Sequence, residues 1–153
     1  MSVNAERFRM GVGAVIRRAD GRVLALERRD IPGSWQFVQG GVRAGESVND
    51  ALSREVAEET GLSRSNFGAV HEVPVWLGYE LPEAARSAKT GRGQVHKWFF
   101  MEFIGRDEAV QLDGGGEFVN FQWIAIDALT DIVVPFRRPV YRELVKWFSE
   151  FAG

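Results

Sequence analysis

The sequence predicts an α/β domain with a mixed sheet. Three observations carry that prediction: short apolar runs bounded by turn residues, a capped helix in the middle, and an amphipathic helix that closes the chain. Residues 9–17 and 22–27 read as two strands, because Gly11-Val-Gly-Ala-Val-Ile and Val23-Leu-Ala-Leu are small and apolar, and Asp20-Gly21 between them signals a hairpin turn. Ile31-Pro32-Gly33-Ser34 is a loop, and Trp35 to Val38 a short strand that runs into Gly40-Gly41. Residues 47–60 form a helix: Ser47 and Asp50 make a capping box, the interior lacks Gly and Pro, and Gly61 stops it. Residues 70–79 and 95–104 are longer strands, joined by residues 81–93, which have the length of a mobile loop. Residues 118–126 are another strand. Residues 139–151 carry Val140, Leu144, Phe148 and Phe151 at helical spacing behind a proline suited to a first turn.

The chain has 153 residues, of which 45% are hydrophobic and 26% charged, so one domain over residues 1–153 with its own core is expected. The absence of cysteine excludes disulfide scaffolds, thiolate zinc sites and a cysteine nucleophile, and fits a cytoplasmic location. No stretch approaches the ~20 apolar residues of a membrane span, and the first nine residues contain no apolar run of a signal peptide. A net charge of -2 argues against a generic nucleic-acid coat and leaves room for a local groove that grips one polyanionic end.

The helix over residues 47–60 holds the most informative feature. At 100° per residue, Val48 and Leu52 share a stripe with Glu55 and Glu59, and Glu58 lies one position round the edge. Carboxylates at i, i+3 and i+4 repel one another unless positive charge sits among them. Hard oxygen donors grouped in this way suit Mg²⁺ or Mn²⁺, which keep their remaining positions for water and phosphate oxygens. A solvated acidic face is the plain alternative.

The neighbourhood favours the metal. Gly40 is followed after five residues by Glu46, after seven more by Arg54-Glu55-Val56, and, with one residue between each, by Glu58-Glu59 and Gly61-Leu62. This constellation resembles the Nudix box of the Nudix hydrolase family at every specified position. The resemblance implies a Nudix fold, an α/β/α sandwich around a mixed sheet, and hydrolysis of a nucleoside diphosphate linked to another moiety. It implies that Glu55, Glu58, Glu59 and the carbonyl of Gly40 hold divalent metal, with Glu46 and Arg54 as structural support. One carboxylate would take the proton of the attacking water. Glu58 is the first candidate for that base, with Glu55 and Glu117 behind it.

Four further patches resemble the branch that holds bacterial RNA pyrophosphohydrolases and asymmetric dinucleoside-tetraphosphate hydrolases: residues 35–41, 93–99, 117–118 and 134–142. That likeness implies that Glu117 approaches the metal from outside the box. It also implies that Arg9 and Arg29 touch substrate phosphates, that Phe136 stacks on a base, and that Arg137 contacts the RNA end. Gln39 and Tyr79 join this substrate group. The expected partner is thus an RNA 5′ end or a nucleotide polyphosphate, with neither DNA nor membrane involved. Each patch has a structural alternative: Phe136 and Tyr79 as core, His96 as a bonded strand residue, and Arg28, Arg29, Arg137, Arg138 and Arg142 as a solvated basic face. Two positions depart from the branch, Val38 where proline is usual and Met10-Gly11 where an asparagine often follows the first arginine. Hydrolysis of free nucleoside triphosphates is the alternative activity, and a non-catalytic nucleotide-binding module the alternative of another class.

Overall fold

The computed structural model describes residues 7–88, 90–112 and 116–152. Among them are strands β1 (Phe8–Arg17), β2 (Val23–Arg28), β3 (Trp35–Gln36), β4 (Val38–Gly41), β5 (Phe67–Glu80), β6 (Gly93–Phe103) and β7 (Phe118–Ile124), and helices α1 (Val48–Thr60), α2 (Ile126–Ile132) and α3 (Arg138–Ala152). The sheet runs β3-β2-β1-β6-β5, with β4 added to β1 and β7 to β2. β1 and β6 are parallel from Phe8↔Gly93 to Arg17↔Glu102, and the other pairings are antiparallel, so the sheet is mixed as expected.

Alternation along the central strands sends side chains to two cores. Val12, Ala14 and Ile16 of β1 join Phe99 and Met101 of β6 and Ala51, Leu52 and Val56 of α1 on one face. Val15, Trp98 and Phe100 join Tyr141 and Leu144 of α3 on the other. Glycines 11 and 13 make that second face possible. A Cβ at Gly13 would lie 2.5 Å from the Trp98 ring, and one at Gly11 would lie 2.6 Å from the Gly40 carbonyl oxygen and 2.7 Å from the His96 ring. Both rings therefore lie across a strand with no side chains beneath them.

The structure corrects the reading at four places. The expected strand at residues 35–38 is two strands: β3 pairs with β2 and β4 with β1, and the chain switches partner at Phe37, whose N–H donates to the Tyr141 hydroxyl at 2.9 Å. β5 begins at Phe67 rather than residue 70. The connection over residues 81–93 is bonded within itself: a 3-10 turn at Glu83–Ala85, a Ser87↔Gly91 bridge, and the Arg86 guanidinium on the Leu81 carbonyl. The last strand stops at Ile124, and α2 follows it. That helix escaped notice because its N-cap, Ala125, offers no capping side chain and its seven residues give little periodicity. Its last carbonyls are taken instead by Arg138, which donates to those of Thr130, Asp131 and Val133.

Candidate active site

α1 begins and ends where its sequence dictates. The Ser47 hydroxyl accepts the Asp50 N–H at 3.1 Å, and Gly61, at φ 72°, adopts the left-handed conformation that closes the helix on the Ala57 carbonyl. This fixes which face is buried, and Glu55 and Glu59 are buried on it beside Leu52 and Val56. Gly40 of β4 forms the facing surface. A Cβ there would stand 2.0 Å from the Glu55 carboxyl carbon, so the bare backbone is the seat of that carboxylate.

Arg54 organises the acids with all three guanidinium nitrogens. Nε and Nη2 fork Glu46 at 2.8 and 2.9 Å, Nη1 meets Glu55 at 2.7 Å and Glu58 at 3.4 Å, and Nη2 also reaches the Gly41 carbonyl at 2.7 Å. The Arg54 bonds, joined by the Arg43 N–H, hold the Glu46 carboxyl down at about 2. Glu46 and Arg54, expected from the resemblance to be structural support, are thus bonded to each other beside the acids.

Convergence of the three box glutamates is partial. Glu58 is half exposed and turns toward Arg54 and toward Arg43 at 3.6 Å. Among the described residues no three acidic or imidazole side chains form a ready-closed cage. Glu59 is the unbalanced member: neither of its oxygens meets a hydrogen-bond donor among the described residues. Burial first, then the adjacent Glu55 and the charge of Glu117, push its pKa well above the ordinary carboxylate value. Glu117, at the start of β7, is likewise raised by partial burial and by Glu55. A buried carboxylate without a donor, a glycine seat and a set of hard oxygens fit a divalent cation.

The residues expected to grip substrate do not form one basic patch. Arg9 is exposed and bonds the Ala88 carbonyl, while Arg29 bonds the Gly116 carbonyl beside Glu117. Arg28 is forked onto Asp30, and Arg138 caps α2. Arg137 is buried, with Nη1 on Gln36 Oε1 at 2.6 Å and its guanidinium over the rings of Tyr79 and Phe136. Tyr79 belongs to the second core: its hydroxyl donates to Gln94 at 2.9 Å and receives Gln39 Nε2 at 3.4 Å. Phe136 is half buried against it, ring centroids 5.3 Å apart. Phe136, Arg137, Tyr79 and Gln39 thus come together on the face opposite α1, and Arg9 lies in the same row across the sheet, paired with the Gln94 that takes the Tyr79 hydroxyl. His96 is buried under Tyr79 without a hydrogen bond to Nδ1, so the bonded strand histidine expected from sequence is only a packed one.

The NUDIX domain family matches residues 7–148, from β1 into α3. The chain belongs to the Nudix family. Among curated relatives, the RNA pyrophosphohydrolase of Rhodospirillum rubrum is 40% identical over 149 residues, covering 95% of this chain and 89% of its own. The RNA pyrophosphohydrolase of Coxiella burnetii is 37% identical over 97% of this chain and 68% of its own. The fold matches the dihydroneopterin triphosphate pyrophosphohydrolase of E. coli at a TM-score of 0.73 with 23% identity, over 90% of this chain and 97% of that one. It also matches an Ap4A hydrolase of C. elegans at a TM-score of 0.70 with 21% identity, over 93% and 98%.

This Nudix protein is a pyrophosphohydrolase, a hydrolase of acid anhydrides. Its sequence announced the acidic helix and its brace. Arg43 was overlooked, although a loop arginine ahead of an acidic helix is a natural partner for a half-exposed glutamate such as Glu58. The Arg28–Asp30 fork went unread although the two lie two residues apart, and the burial of Arg137 was hidden because Gln36 lies 101 residues away. No helix among the described residues is long and apolar enough to cross a membrane.

Proposed function

We propose that this single Nudix domain cleaves a phosphoanhydride bond of triphosphate-type chains by water attack, at the tri- or diphosphorylated 5′ ends of RNA or in dinucleoside polyphosphates, in the cytoplasm. The observation that carries this reading is the likeness to RNA pyrophosphohydrolases over nearly the full length of both chains, with every box residue present. Glu55, Glu58, Glu59 and the Gly40 carbonyl, joined by Glu117, would hold Mg²⁺ or Mn²⁺. A bound divalent ion supplies charge neutralisation at the phosphates and a lowered pKa for the attacking water. Water oxygen bonds to phosphorus, the bridging oxygen leaves with its phosphate, and the water's proton passes to a carboxylate. Glu58 is the first choice for that base, since half of it faces solvent, with Glu55 and Glu117 behind it. Arg54 keeps Glu55 and Glu58 oriented, and Arg9, Arg29, Gln39, Tyr79, Phe136 and Arg137 would hold the substrate.

The second reading, hydrolysis of free nucleoside triphosphates, draws support from one observation: Arg28, Arg137 and Arg138 are each bonded to groups of the protein itself, which reduces the basic surface offered to a longer nucleic acid. A panel of 5′-triphosphorylated and 5′-diphosphorylated short RNA, diadenosine tetraphosphate and free nucleoside triphosphates, compared by kcat/KM with each metal, separates the two. Preference for free nucleotides overturns the first reading. Glu58→Gln should lower kcat by about 10²–10⁴-fold on the best substrate with an unchanged melting temperature, and full activity in that variant removes Glu58 from the site.

A further inference from the structure

β2 and β7 stay paired as far as Glu117, through one bulge. The register slips between Glu27 and Arg28 and resumes at Arg28↔Phe118, the Arg29 N–H donates to the Glu117 carbonyl at 2.9 Å, and the Glu27 carboxylate accepts the Asn120 amide at 2.7 Å and the Gly33 N–H at 2.8 Å. Beside this bulge is an open cleft of about 510 Å³ lined by Arg28, Arg29, Asp30, Gly116 and Glu117. Glu117, one of the carboxylates expected to hold the metal, lines this cleft, so the cleft borders that group. A phosphate chain held at those carboxylates has this cleft as its extension. Two cations there face two anions. Asp30 takes Arg28 in a bidentate fork, Nε to Oδ1 at 2.9 Å and Nη2 to Oδ2 at 2.6 Å, while its own side chain stays mostly exposed. Arg29 bonds the neutral Gly116 carbonyl and, among the described residues, no carboxylate.

We propose that Asp30 is a specificity residue that limits the length of phosphate chain accepted, by clasping Arg28 in the cleft beyond Glu117 and presenting its own carboxylate where a further phosphate would lie. This rests on the pyrophosphohydrolase reading and extends it to chain length. A terminal phosphate reaching the cleft meets Arg29 together with a neutralised Arg28 and a like-charged carboxylate. A shorter chain ends before them. Replacing Asp30 by an uncharged residue releases the Arg28 guanidinium to the substrate and removes the repulsion, so the gain falls on long chains.

The test uses the full chain with Asp30→Asn, with Asp30→Ser as a second variant, each checked by circular dichroism and thermal melting. Inorganic pyrophosphate and tripolyphosphate serve as probes in calorimetric titrations in the presence of Mg²⁺, which holds one end of each chain at the carboxylates. Asp30→Asn should tighten tripolyphosphate by about fivefold and pyrophosphate by less than about twofold. In turnover, the kcat/KM ratio of diadenosine tetraphosphate to a 5′-triphosphorylated dinucleotide should rise by a similar factor. The double variant Asp30→Asn/Arg28→Ala should lose most of the gain, because Arg28 delivers it. Equal tightening of both probes, or a gain that persists in full without Arg28, overturns the proposal. A wild-type protein that hydrolyses nothing in the panel would instead sink the pyrophosphohydrolase reading, and the binding titrations would still decide the role of Asp30.

Discussion

The glutamates buried on the α1 face and the histidine and arginine buried on the α3 face meet burial in different ways. On the α1 face, Glu55 and Glu59 are buried acids, and a single arginine, Arg54, balances the first of them and leaves the second without a donor. On the α3 face, His96 and Arg137 are buried bases, the one packed between Tyr79 and Trp98, the other held by Gln36 and two aromatic rings. Burial disfavours charge on both sides, yet the consequences run in opposite directions. An acid without a partner is raised in pKa and ready for a cation, as Glu59 is. A histidine without a partner is lowered, to about 3 for His96, chiefly by burial and then by the nearby Arg137, and becomes inert. Geometry of the same quality thus yields a candidate metal site on one side and a silent core on the other.

The largest effect expected on this contrast comes from filling the seat of the acid. Gly40→Ala places a methyl group on the Glu55 carboxylate, so kcat/KM should fall by about 10²-fold or more, a displacement penalty of the kind that misplaced catalytic groups incur, while the fold persists in circular dichroism. Wild-type turnover in this variant would move the active carboxylates away from β4.

The pH dependence of stability in metal-free protein should show both faces at once. Glu59 is raised above its unfolded value of 4.5, so its contribution is fully present below that pH and is lost as pH rises through its folded pKa. His96 is lowered from 6.5 to about 3, so its contribution is present above 6.5 and is lost as pH falls toward 3. Glu59→Gln should therefore raise the melting temperature at neutral pH and flatten the alkaline limb, at the expense of activity. His96→Gln should flatten the acid limb only. Melting curves between pH 4 and 8 that leave both limbs unchanged would show that these groups are open to solvent. The smallest effect belongs to Tyr141→Phe, which takes the acceptor from the Phe37 N–H at the point where β3 gives way to β4. It should cost about 1–3 kcal/mol in chemical unfolding, with kcat unaltered.

Much of the α1 face was legible because its determinants are local: Ser47, Gly61 and the spacing of Glu55, Glu58 and Glu59 lie within one helix, and Gly40 and Glu46 lie just before it. The α3 face was not, since the partners of Arg137 and Tyr141 are Gln36 and Phe37, over a hundred residues away, and α2 has no cap to announce it. The basic residues were read as one group and proved to have separate duties, because an arginine's destination depends on which carbonyl or carboxylate the tertiary structure brings near it. Asp30 and the α2 carbonyls supplied those destinations for Arg28 and Arg138.

The bare positions on β1 carry a consequence for how this chain can change. A side chain at position 11 has no room while His96 lies over the strand and the Gly40 carbonyl stands alongside, and the same holds at position 13 beneath Trp98. Shrinking residue 96 alone therefore does not open position 11, because the Gly40 carbonyl, whose backbone also seats Glu55, would still have to move: a side chain there reaches the acidic site through the strand.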